Sequence, residues 1–396
     1  MIARLQRCGG VAATAVLAAL IVACGSPAPS DPAAPTNLLG LPAPPYQIVD
    51  LGTLGGTYSS AADVNTQNQV VGTSTTADGS NHAFLWQEGV MIDLGTLGGT
   101  TSDATEINES GRIVGSSTNA AGETHAFLWA DGVMTDLGPS SYGAIRVNQR
   151  GQVAWTGPNA AGHRRAFLWT DGVAQELGAL SDTGQSQVYD LNELGQVVGA
   201  SDSRPFVWTD GAMRELVSLG GLAWAASINN RGQVVGTSYA PLGPDGAAAY
   251  ALLWDGDQMT RLGRLPGDSF SDAKLITDAG MALVHSYPLA WYPPRPFVWT
   301  AGVMTPVATA FQYLMAADMN NLGVIVGEHR PSPFAQRGFV WQFGDAVLDL
   351  PLLPGGNNAG ATALNELGTI VGWAAPASSS DHHAVLWRKN LLAASK

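Results

Sequence analysis

The chain has 396 residues, 48 of them Gly and 23 Pro, only 13% charged, with a net charge of −13. That length holds one large repeat domain or two ordinary ones, and a turn-rich, weakly charged composition suits an all-β fold. The acidity argues against a nucleic-acid partner, because phosphate contacts need clustered Lys and Arg, and the one basic run is His163-Arg164-Arg165.

At the N-terminus, Arg4 and Arg7 precede a short apolar stretch over 11–23. It is too short to span a bilayer comfortably and has the form of a secretory signal. It ends in Ile21-Val22-Ala23-Cys24, which resembles a bacterial lipobox. That resemblance implies a signal peptide over 1–23, cleavage before Cys24 and a lipid on the Cys24 thiol. The alternative is an ordinary signal cut nearby, with Cys24 incidental. Cys8 and Cys24 are the two cysteines; Cys8 leaves with the signal, so no intramolecular disulfide is expected. Gly25 in place of Asp resembles an outer-membrane destination. Residues 24–45 are then a lipidated Cys and a Pro/Ala-rich tether, extended and unable to build a core.

Beyond the tether the chain repeats itself. HAFLWQEGVMIDLG begins at His82, HAFLWADGVMTDLG at His125, RAFLWTDGVAQELG at Arg165 and RPFVWTDGAMRELV at Arg204. Eight of the twelve Trp keep the beat: Trp86, Trp129, Trp169, Trp208, Trp254, Trp299, Trp341 and Trp387, spaced 39 to 46 residues apart. Such a period suggests four short strands per repeat, the spacing of a propeller blade. The repeats run at about 58–98, 99–138, 139–178, 182–217, 222–263, 269–307, 313–350 and 357–390 within a domain over 46–390, with a tail at 391–396.

A second beat lies upstream of each Trp, at Asn65, Asn108, Asn148, Asn192, Asn229, Asn320 and Asn365, with Thr277 in the sixth unit. Three residues later comes Gly, or Asn68 in the first unit. Those residue types tolerate φ > 0, so Asn-x-x-Gly predicts a tight hairpin turn whose Asn side chain cages the backbone. The strand before the turn, SxAxxIN, is mostly small residues and belongs on the crowded inner side. QVVGxS is the second strand, HAFLW the third and VMTDLG the fourth. A spare fourth strand, over 46–52, precedes the first unit, while the last unit ends at Trp387 without one. Pairing the two closes the ring and removes an exposed edge. The fold class expected is all-β, an eight-bladed β-propeller closed by its N-terminal strand.

The recurring HAFLW and DLGTLGG phrases resemble the bacterial extracellular repeat family named for its His-Ala-Phe motif, over about residues 46–390. The resemblance implies a secreted or surface repeat protein and no established enzymatic activity. The motif His stands at His82, His125 and His383; elsewhere Arg165, Pro205, Tyr250, Pro296 and Gly338 are read in its place.

Repetition itself speaks against chemistry in these phrases, since a catalytic residue is needed at one place and not at eight. The repeat Trp are read as core. The motif His sit on separate blades and cannot converge on a metal. The acids of DLG, Asp50, Asp93, Asp136 and Asp349, with Glu176 and Glu215, are read as solvated. No GxSxG, HExxH, phosphate loop or CxxC occurs, and Asp255-Gly256-Asp257 lacks the other ligands of a calcium loop. No catalytic residue, metal or cofactor is expected.

All length variation falls in the connections between second and third strands: 75–81, 118–124, 157–164, 202–204, 239–249, 286–295, 329–337 and 374–382. These share one face, the usual place for recognition on a rigid scaffold. The loop over 287–295 offers Tyr287, Trp291, Tyr292 and Arg295, suited to a sugar ring or a peptide. In the third unit Trp155 stands in the Gly slot, and His163 and Arg164 add positive charge. The favoured function is a non-catalytic, monomeric lipoprotein of the outer membrane or cell surface that binds an envelope protein or glycan and touches the membrane through its lipid alone. One alternative is a glycosidase- or lyase-like enzyme with an axial pocket, using Asp63, Asp103, Glu106, Asp190, Asp272 or Asp318. Another is an envelope-assembly scaffold, similar in outline to eight-bladed lipoproteins that assist β-barrel insertion.

Overall fold

The computed structural model describes residues 45–390 except 142, 242–247, 290–292, 309–312 and 378–380. Cys24, Trp291, Tyr292 and the segments 1–23 and 391–396 lie outside the described residues. Every regular element described is a strand, and the strands form eight four-stranded antiparallel sheets. They make a ring: an eight-bladed β-propeller.

Blade 1 runs from Gly55–Val64 through Val70–Thr76 and Asn81–Gln87 to Val90–Asp93. Blades 2 to 7 open on Gly98–Ile107, Arg146–Val147, Ser186–Leu191, Ala223–Ile228, Phe270–Ile276 and Leu314–Met319. Blade 8 takes Ala359–Leu364, Ile370–Ala374 and His383–Lys389 from the C-terminal end and Tyr46–Asp50 from the N-terminal end. Tyr46 pairs with Lys389 and Asp50 with Val385, so the last blade borrows its outer strand from the start of the domain. Leu51 extends the clasp by donating to the Ala384 carbonyl.

The core is divided into eight clusters, each between neighbouring blades. Blade 8 contributes Val371, Ala384 and Leu386 to a cluster with Ala61, Val70, Phe84 and Trp86 of blade 1. The Phe of the HAF phrase is the deeper anchor: Phe84, Phe127, Phe206, Phe297 and Phe339 are fully buried. Among the repeat Trp, Trp86, Trp208, Trp254, Trp341 and Trp387 are buried, while Trp129, Trp169 and Trp299 pack half-buried at cluster edges. Trp254 and Trp387 each donate their indole N–H to a main-chain carbonyl, of Val217 and Pro351.

A bulge recurs at one position of the first strand, between Ala61 and Asp63, Ala104 and Glu106, and Ala316 and Asp318. The second strand presses against it so closely that a Cβ on Gly72 would collide with the Ser60 carbonyl. In blade 3, where the first strand is only two residues long, this slot holds Trp155, and in blade 6 it holds Val284 opposite Ala273. Trp155 fills the space, stacked on Phe167 at 5.2 Å. The aromatic residue that breaks the repeat there is therefore a packing substitute and not a surface feature.

Strand register corrects one assignment made from sequence. The slots opposite the end of the second strand are His82, His125, Arg165, Arg204, Tyr250, Arg295, Arg337 and His383. Arg204, Arg295 and Arg337, rather than Pro205, Pro296 and Gly338, replace the motif His. Counting back from the repeat Trp gives the same answer.

Candidate functional site

The face of tight turns is a closed structural device. Each turn Asn accepts the backbone N–H four residues on, and all but Asn148 also the one two residues on, as Asn108 Oδ1 does from Ser110 and Arg112. Its amide then reaches the next blade. Asn65 donates to Asn108 O, Asn108 to Asn148 O, Asn148 to Asn192 O, Asn192 to Asn229 O and Asn229 to Thr277 O. Asn320 donates to Asn365 O, and Asn365 returns to Asn65 O, all at 2.8 to 3.3 Å. Thr277 has no amide to send to Asn320, and there the sequence of Asn bridges is interrupted. The left-handed slot three residues on holds Asn68 at φ 60° and Gly232 at φ 76°.

The inner acids are tied into the same scaffold. Near the end of the first strand a backbone N–H is accepted by a carboxyl group of the preceding blade. Asp63 takes Ile107 N–H at 2.9 Å, Glu106 takes Val147 at 3.1 Å, Asp190 takes Ile228 at 2.9 Å and Asp318 takes Leu364 at 3.0 Å. Burial pushes Glu106 up to about 8 and Asp318 up to about 6. Arg146 lies 3.8 Å from Asp190. Four of the six acids considered for an axial pocket thus satisfy buried backbone, which is a structural duty. Asp272 is half-buried and paired with Lys274 at 3.0 Å, and Asp103 stands at the mouth of a separate cleft of about 530 Å³ lined by Ser and Thr hydroxyls.

The HAF and DLG phrases hold each other. His82 Nδ1 meets Asp93 at 2.8 Å and His125 Nδ1 meets Asp136 at 2.7 Å. In blades 3 and 4 the same places are Arg165 with Glu176 at 3.1 Å and Arg204 with Glu215 at 2.9 Å. In blade 5 they are Tyr250 and Arg261, with the guanidinium 4.6 Å over the ring. In blade 7, Asp349 is taken by His329 at 2.7 Å while Arg337 bonds main-chain carbonyls. The DLG acids are therefore paired and not merely solvated. In blades 1 to 5 each pair pins the outer strand to the third, whereas the His329–Asp349 pair of blade 7 reaches from the outer strand to the second. Among the described residues no group of three or more His, Cys, Asp or Glu is placed to hold a metal ion.

Arg295 belongs to this system and not to a ligand. With Pro306 in the acid slot, it turns to Asp268, its Nε 3.1 Å from the carboxylate, and to the Pro266 carbonyl at 2.9 Å. The donor fork expected from sequence is spent on the fold. His163 is exposed at a hairpin tip.

Aromatic and polar side chains outside the repeat line clefts on the loop face. Tyr287 lines a cleft of about 160 Å³ with Trp224, Tyr239 and Asp272. Its hydroxyl stands 3.4 Å from Asp272, and burial together with that carboxylate keeps it above its ordinary pKa, so it remains a donor. A neighbouring cleft of about 290 Å³ is lined by Arg164, Gln187, Tyr189 and Trp224. Across the ring Trp373 stacks on His382 at 4.1 Å, with Tyr58 beyond it. Room for Trp373 comes from Gly360, whose Cβ would meet the indole at 2.7 Å. Trp224 and Trp373 were not singled out from the sequence. The signal was there: with Trp155 and Trp291 they are the four Trp off the repeat beat.

No protein-family model matches the chain, and no curated protein matches it in sequence. Solved structures resemble it in architecture. The β-propeller domain of the Trilobed protease from Pyrococcus furiosus is 12% identical, with a TM-score of 0.49 over 74% of this chain and 96% of that one. Pyrococcus horikoshii acylaminoacyl peptidase is 12% identical, with a TM-score of 0.47 over 83% of this chain and 59% of the peptidase. TolB from Acinetobacter baumannii is 15% identical, with a TM-score of 0.34 over 73% and 80%. At these identities the likeness concerns the fold alone.

Proposed function

We propose that the chain is an exported lipoprotein, anchored through Cys24 and displaying a propeller whose loop face binds a protein or glycan of the cell envelope without catalysis. One observation carries this. The side chains repeated from blade to blade are consumed by the ring, in Asn bridges, carboxylate caps and His or Arg pairs, whereas the aromatic clefts arise on the loop face from residues outside the repeat. A rigid scaffold with unrepeated aromatic and polar groups on one face is the form recognition sites take. An axial enzyme would need free converging carboxylates, and four of the six candidates already accept backbone N–H groups.

The test is retention of envelope components by the lipidated protein and its variants. Trp373→Ala and Tyr239→Ala, on the loop face, should lose them, while Leu322→Ser, exposed on the turn face, should not. Equal retention by all would overturn the assignment of the face. Cys24→Ala should move the protein from the membrane to the soluble fraction.

A further inference from the structure

Trp224 stands where two clefts meet. It sits on the first strand of blade 5, directly opposite Thr237 on the second. On one side lies the Tyr239, Asp272 and Tyr287 cleft, on the other the Arg164, Gln187 and Tyr189 cleft. The Trp224 and Tyr239 rings are 6.1 Å apart and tilted by 47°, an open angle between two flat apolar walls.

Each cleft also holds an orphan. Thr237 Oγ1 is buried and has no hydrogen-bond partner in the first; Arg164 Nε is buried and has none in the second. A buried polar atom left unpaired forfeits its hydration with nothing in return, and native structures keep few of them without a reason. Arg164 is also an uncommitted cation, forming no ion pair among the described residues. Both clefts include an acid in their lining: Asp202 in the second accepts from Gln185 N–H and from Ser181, and Asp272 in the first pairs with Lys274.

We infer that the junction running from blade 3 to blade 6 is a binding site for an acidic oligosaccharide, a hexuronate chain with one ring against Trp224 and a carboxylate at Arg164. This rests on the binding-module function proposed above and names its ligand class. The apolar face of a pyranose suits the half-buried indole of Trp224. Its hydroxyls suit Thr237, Gln187 and Tyr287. The carboxylate supplies the charge-assisted partner that Arg164 lacks. Clefts this narrow, with hydroxyl, amide and guanidinium interleaved between aromatic walls, fit small polar rings better than the broad apolar core of a protein interface.

Calorimetric titration of the full-length protein with short galacturonate, glucuronate and mannuronate oligomers tests the site, with methyl-esterified oligomers as neutral copies. The expected result is a preference of about tenfold for acid over ester in at least one series. Arg164→Gln should erase that preference, lowering the affinity for the acid to that for the ester. Trp224→Ala should weaken both by about tenfold or more. Trp224→Phe, which keeps a flat face, should retain most of the affinity, and an unchanged melting temperature would separate lost binding from lost folding. Equal affinity for acid and ester in the parent protein would overturn the assignment, as would a preference that survives Arg164→Gln. If no hexuronate binds while loop-face variants still abolish envelope retention, the ligand class is wrong and the binding module stands; if both fail, both are wrong.

Discussion

His383 holds Asp50 across 333 residues of chain, its Nδ1 3.0 Å from both carboxylate oxygens. The pair is the HAF–DLG clamp of the other blades, assembled here from the two ends of the domain. Closure of the ring therefore uses the same contact as an ordinary hairpin. Deleting 46–52 should cost about 3 kcal/mol or more, because Tyr46 and Leu51 lose their burial and blade 8 gains an open edge. Asp50→Ala alone should cost no more than about 1 kcal/mol, the range of an exposed pair. Thermal melts of the two variants check this, and equal melting temperatures would remove the clasp from the account of stability.

The blade 4 pair offers a cleaner test of the clamp. Arg204→Glu should destabilise by about 0.5–1 kcal/mol, and Glu215→Arg on the same chain should restore most of the loss. Combining Arg204→His with Glu215→Asp copies the His–Asp pair that blades 1 and 2 already carry, so that double change should be close to neutral. A double-mutant cycle in urea measures the coupling. Additive losses would mean that the two side chains do not interact.

The interrupted Asn bridge predicts a gain. Thr277→Asn should add the missing amide toward Asn320 and stabilise by about 0.5–1.5 kcal/mol. Asn229→Ala should do the reverse, costing about 1–3 kcal/mol, since it uncaps its own turn and removes one of the two donors to the Thr277 carbonyl, leaving only Gly280 N–H. Denaturant midpoints report both, and a loss on Thr277→Asn would show that the bridge is not what the turns contribute.

Two buried groups give pH dependence of opposite sign. Glu106 rises from 4.5 to about 8 on burial, so the folded state holds a proton that the unfolded chain releases. Stability should fall as pH climbs between those values. Glu106→Gln keeps an acceptor for Val147 N–H and should flatten that slope. His285 drops from 6.5 to about 3, chiefly by burial, so its contribution is complete above 6.5 and is lost as pH falls toward 3. His285→Gln should make the protein less sensitive to acid. Unfolding free energies across pH 4 to 9 separate the two, and a slope unchanged in Glu106→Gln would assign it to another group.

The ring was legible because its determinants are local and periodic. Asn229, Gly232 and Trp254 each specify a turn or a strand from their near neighbours, and the repeat supplies eight chances to see the pattern. The spare strand at 46–52 could be counted without coordinates. The slot of the motif His was misread at Pro205, Pro296 and Gly338 by one residue, and only strand register, in which a single step reverses the side chain's face, put Arg204, Arg295 and Arg337 in place.

The candidate site was less legible for a physical reason. Arg164, Trp224 and Asp272 lie on three blades, and nothing local tells that their side chains share a junction. Arg295 looked free in sequence because its partner, Asp268, sits in the preceding link. Asp63 stood among the candidates for an axial pocket because the amide it caps, Ile107 N–H, lies in the next blade. The sequence by itself determined the strand count, the turns and the closure, all of which follow from period, residue size and φ. Which polar groups are spent on the scaffold and which remain for a ligand was decided only when neighbouring blades packed, because hydrogen-bond satisfaction depends on distances between residues far apart in the chain.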